Sequence, residues 1–156
     1  MTTSRTSAAP VVVRLTEEQA AQAERQGLAK ARRTRRDLFT PKGDRTTLFI
    51  NSEGADIALR EWLQEDRSAV FARTSANPNA SLTVREGDKD ADIAFLVTGT
   101  TKSREFEVVR WLPVREAKRD LWLRTGWRPT TWLVPQSALR DLGEFGAALF
   151  DDRDSR

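Results

Sequence analysis

The chain contains no cysteine and no histidine. That inventory removes disulfides, thiolate and imidazole zinc sites, cysteine nucleophiles and Ser-His-Asp triads together. Any metal must then rest on carboxylates and carbonyls, and such oxygen-rich sites favour Mg²⁺, Mn²⁺ or Ca²⁺. Long apolar runs are missing as well: no stretch approaches the roughly 18 apolar residues of a membrane span. The N-terminus lacks the charged-then-apolar pattern of a secretory signal, since Val11-Val12-Val13 is only a short apolar block. A cytoplasmic protein with no membrane partner is expected. No internal repeat or heptad is visible.

A length of 156 residues suits one domain with a real core. The composition divides it into a disordered lead-in over 1–15, a single domain over 16–150 and a charged tail over 151–156. Five Trp and seven Phe supply the bulk for packing in a chain that is otherwise on the polar side. The net charge of +3 is unevenly placed: residues 1–45 hold ten Lys and Arg against five acids, and the remainder holds sixteen against eighteen. The basic character therefore belongs to the N-terminal third.

Thr16-Glu17-Glu18-Gln19 fits a capping box and predicts a helix over 17–36. Its apolar side is mostly alanine and Gly27 weakens its middle, so it is expected at the periphery. Lys30, Arg32, Arg33, Arg35 and Arg36 crowd its last turns. Such cations complement the helix dipole, and they also suit a patch that tracks nucleic-acid phosphates, DNA before RNA. Pro41 to Asp44 reads as a turn and Thr46 to Ile50 as a short strand or extended segment. A second helix is predicted over 53–65, capped by Asn51 or Ser52, with Ile57, Ala58, Trp62 and Leu63 as its apolar stripe. Near its start, Glu53 and Asp56 are candidates to point into a cleft.

Strands are predicted over 68–74 and 81–85, flanking a central hairpin of Ile93 to Val97 and Glu105 to Val109. Thr98 to Ser103 supplies the turn chemistry. That hairpin would carry Asp92 towards Glu107. The acidic segment Glu86 to Asp92 is not an EF-hand loop, because the twelfth position from Asp88 is Gly99. Leu121 to Leu123 and Thr131 to Val134 read as further strands around the Gly126-Trp127-Arg128-Pro129 turn, where Trp127 is the tryptophan expected in solvent. A short helix over 136–142 ends the pattern. The sum is an α+β fold: a mixed sheet of five or six strands, a packed helix on one face and a peripheral N-terminal helix.

An acid-bearing helix (Gly54 to Leu63), Asp92 opening an apolar strand and Glu105-Phe106-Glu107-Val108-Val109-Arg110 together resemble the restriction-endonuclease-like (PD-D/E-x-K) nuclease superfamily. The resemblance implies Mg²⁺ or Mn²⁺ held by Asp92 and Glu107 with Asp56, hydrolysing a phosphodiester. The family's lysine, two residues after the second acid, is Val109 here, so Lys102 on the hairpin turn, or Arg110, would have to replace it. Three functions follow as expectations. One is a nucleic-acid-binding protein of nuclease-like fold that does not cut. Another is a metal-dependent nuclease. The third is a small protein-interaction module, such as a phage or defence accessory protein, engaging a protein partner or a second copy in a homo-oligomer through its Trp-rich edge.

Overall fold

The fold is described from a computed structural model for residues 9–34, 45–64 and 69–145. Arg35, Arg36, the Pro41 to Asp44 turn and the 151–156 tail lie outside the described residues.

The capping box forms as the residue types require. Thr16 Oγ1 accepts the Gln19 N–H at 3.0 Å and Gln19 Oε1 accepts the Thr16 N–H at 2.9 Å, starting α1 at Glu17–Thr34. A second helix, α2, spans Arg45–Leu63 and packs antiparallel to it. The strand reading of Thr46 to Ile50 is therefore wrong, and Asn51 and Ser52 are interior helical residues rather than caps. Thr46, Thr47 and Ile50 are β-branched, but burying the face of a long helix outweighs that modest preference. Gly27 marks the helix crossing, where a Cβ would stand 2.5 Å from the Ile50 Cα. It lets the two backbones approach.

Among the described residues, seven strands divide between two sheets. In the first, β1 (Val11–Arg14), β5 (Glu105–Pro113), β4 (Ile93–Thr100) and β2 (Val70–Ser75) lie in that order, antiparallel except for the parallel β4–β2 pair. In the second, β3 (Leu82–Arg85), β7 (Thr131–Val134) and the two-residue β6 (Leu123–Arg124) lie side by side. The α+β class and the mixed sheet are as expected. The strands, however, do not make one sheet: β3 pairs with β7 instead of flanking the hairpin. Residues 11–14, assigned to the lead-in, are an edge strand. The helix predicted over 136–142 is reduced to a 3₁₀ turn at Gln136–Ala138. Among the described residues, no helix is long and apolar enough to cross a membrane.

Helices, first sheet and second sheet stack in three layers with a core on each side of the first sheet. On the helix side, Phe95 packs against Trp62, Trp111 and Phe145, with ring centroids at 5.7, 6.4 and 5.0 Å. Between the sheets lie Leu82, Val84, Leu96, Val109, Leu112 and Val134. Each such buried side chain contributes roughly 1.5–3 kcal/mol. The register shift between Leu96 and Val97 makes Val109 the extra residue of a bulge. Phe106 and Val108 face the helices, and Val109 and Leu112 face the second sheet.

Candidate functional site

The central hairpin forms, but its register separates the predicted acids. Glu107 pairs with Thr98, whereas the Asp92 carbonyl accepts the Val114 N–H at the far end of the ladder. Six residue steps separate Asp92 from Thr98, roughly 20 Å at about 3.3 Å per residue. Glu107 is exposed between Val12 of β1 and Thr98. Asp56 lies elsewhere again, on α2, where its carboxylate takes a hydrogen bond from the Ala72 N–H. These three acids do not converge, so they do not fit the metal site that the nuclease resemblance implies. No group of three or more potential ligands is found among the described residues. Val109, at the family's lysine position, is buried between the sheets. Lys102 is exposed on the hairpin turn and lines a cavity of about 570 Å³ with Glu17 and Glu24 of α1. Arg110 is turned to the carbonyls of Gln136 and Leu139.

The acidic 86–92 loop is organised by a cation from the protein itself. Lys118 Nζ donates to the Asp88 carbonyl at 2.9 Å and to Asp90 Oδ1 at 2.8 Å. An ammonium of the protein therefore answers the charge of this acidic loop.

The basic helix end is also divided. Lys30 is ion-paired with Glu53, a buried carboxylate of α2, and so belongs to the helix interface. Arg32 and Arg33 are exposed, with no ion pair among the described residues. Gln19 meets Glu61, Gly27 meets Ile50 and Lys30 meets Glu53, a register that brings the last turn of α1 level with the first turns of α2.

Next to that end, the outer edge of β2 pairs with no strand among the described residues. The Ile93 N–H donates to the Ala69 carbonyl, and the parallel ladder then spends the N–H groups of Phe71 and Arg73 on β4 while leaving those of Val70, Ala72 and Thr74 facing outward. Asp56 caps the one from Ala72. Burial raises the Asp56 pKa, the nearby Glu53 carboxylate raises it further, and Arg60, the Ala72 N–H and Lys30 oppose the shift. Ser52, Asp56 and Arg60, four residues apart, share the face of α2 that overlooks this edge.

Beyond Asp56 the edge opens into a cavity of about 240 Å³, lined by Leu48, Phe49, Ser52, Arg73, Thr74 and Arg85. Arg73 lies 5.1 Å over the Phe71 ring and donates to Asp88 Oδ1 at 2.7 Å. The second Asp88 oxygen accepts the Arg85 N–H at 2.8 Å. That carboxylate is thus engaged on both sides, and the Arg85 guanidinium has no hydrogen bond or ion pair among the described residues. Partial burial lowers the Arg85 pKa, and the like charge of Arg73 adds to it against the pull of Asp88. Thr74 Oγ1 is buried without a partner. Sequence reasoning missed Arg73 and Arg85. They lie twelve positions apart on strands of different sheets, and only an arginine beside Phe71 inside an apolar strand hinted at either.

No protein-family model, curated protein or solved structure matches the chain.

Proposed function

We propose that the chain is a cytoplasmic nucleic-acid-binding protein of nuclease-like fold, acting on DNA before RNA, which holds phosphates without hydrolysing them. One observation carries this reading: Arg32 and Arg33 on α1 and Arg85 beside the β2 edge, none of them ion-paired among the described residues, lie towards the end of the molecule where α2 begins, while the predicted metal-binding acids are dispersed. Arginine suits the role because its planar fork bonds phosphate oxygens in pairs and stays charged.

The test replaces Arg32, Arg33, Arg35 and Arg36 with Ala and measures binding to duplex and single-stranded DNA across a salt series. Affinity should fall for all sequences, and the slope of log K against log salt should flatten by roughly 0.9 per lost duplex phosphate contact. Binding by the variant that matches wild type at every salt concentration would remove α1 from the interface.

A protein partner or homo-oligomer is favoured by a different surface. Leu121 is 79% exposed and Trp127 51% exposed, with Leu123 beside them at the β6 edge. Sedimentation of the purified chain separates the readings: a monomer at micromolar concentration counts against self-association.

A further inference from the structure

We propose that the open edge of β2 is a binding site for a single phosphate group, held by Arg85, Arg73, Thr74 and Ser52. The donor-bearing residues come from three elements and line one cavity: Arg73 and Thr74 of β2, Arg85 of β3 and Ser52 of α2. Thr74 also belongs to the outward-facing N–H set of β2, so one residue offers two donors. A phosphate is the ligand these groups suit, because its oxygens accept from several directions and its charge answers that of Arg85.

The competing occupant would be a carboxylate of the protein. Asp88, which touches both of these arginines, already spends one oxygen on the Arg73 guanidinium and the other on the Arg85 N–H. A buried hydroxyl without a partner costs stability unless something completes it, and Thr74, whose hydroxyl is such an atom, is one of the residues that line the cavity. Leu48 and Phe49 form the apolar wall on the α2 side, where the organic part of a phosphate ester would rest. The site itself does not depend on the α1 cations. Only the identity of the phosphate's carrier, a nucleic-acid strand, rests on the binding reading above.

The test uses the full chain labelled with ¹⁵N. Inorganic phosphate is titrated at constant ionic strength against chloride, and the Thr74 amide resonance is followed. Two single-stranded oligonucleotides, one with a 5′-phosphate and one without, are then titrated in the same way. The Thr74 amide should shift saturably with inorganic phosphate. Arg85→Gln should weaken that binding roughly tenfold or more, as for loss of a hydrogen bond to a charged group, and Thr74→Val roughly three- to tenfold. Without phosphate, Thr74→Val should melt no lower than wild type, because it removes an unpartnered hydroxyl; a residue that only braced the fold would behave oppositely.

A 5′-phosphate preference that disappears in Arg85→Gln assigns the site to strand ends. Equal weakening of both oligonucleotides assigns it to internal phosphates. Phosphate binding that depends on Arg85, with both oligonucleotides unaffected by the variant, keeps the site for a free phosphate and takes it from nucleic acid. No saturable Thr74 shift with phosphate or either oligonucleotide, or a shift unchanged in both variants, overturns the proposal.

Discussion

The central hairpin and the β2 edge belong to the same sheet yet differ in how their backbone is used. β4 lies between β2 and β5, and β5 lies between β4 and β1, so their ladder groups are spent on both sides. Among the described residues β2 has a strand neighbour only on one side, and its outward donors meet Asp56 and an arginine-lined cavity. The apolar runs that make the hairpin the obvious centre of the sequence make it a core. Donors remain for a ligand where the sheet stops.

The largest effect should come from the hairpin. Phe95 is fully buried among three aromatic rings, so Phe95→Ala is expected to cost about 3–5 kcal/mol in urea unfolding. A cost under about 1 kcal/mol would mean that the core is elsewhere. Next is the clasp between hairpin tip and helix: Asn51 Oδ1 accepts the Thr101 N–H at 2.8 Å, and Thr101 Oγ1 donates to the Ile50 carbonyl at 2.9 Å. Asn51→Ala leaves a buried N–H unpaired and should cost about 1–3 kcal/mol.

The edge responds to pH instead. The folded pKa of Asp56 stands above the unfolded carboxylate value of about 3.9. The folded state therefore holds that proton more tightly, and this group's contribution to stability falls as pH rises from the unfolded value through the raised folded one. Asp56→Asn keeps an acceptor for Ala72 and removes the charge. It should be more stable than wild type at neutral pH, with the advantage vanishing below the unfolded value; urea midpoints across pH would show it, and a pH-independent difference would refute the edge account. The smallest effects belong to Asp92→Asn and Glu107→Gln, each within about 0.5 kcal/mol of wild type.

The sequence made α1, both hairpin strands and the exposure of Trp127 legible, because each has a local cause: a capping box, apolar β-formers, a turn. Register was not legible. Thr98-Gly99-Thr100 reads as a loop, but β4 continues through it with Gly99 at φ +137°, and the Glu105 carbonyl lies 2.3 Å from where a Cβ would be. The turn then falls at Thr101 to Arg104, later than the residue types suggest, and this displaces Asp92 from Glu107. Val11 to Val13 gave too short a signal for a strand whose pairing partner lies about ninety positions away. The cation site was hidden for the same reason. An open edge is a property of strand order, and no local pattern states that β2 is parallel to β4 and last in its sheet among the described residues.

The most direct test combines binding and chemistry in one sample. Labelled DNA would be titrated with the full chain in Mg²⁺ and in Mn²⁺ over a salt series, its anisotropy recorded and the same tubes then run on a denaturing gel. The account predicts salt-sensitive binding with DNA of unchanged length in both metals, for wild type and for Asp92→Asn and Glu107→Gln alike. Cleavage by wild type that both variants abolish, or no binding even at low salt, would contradict it.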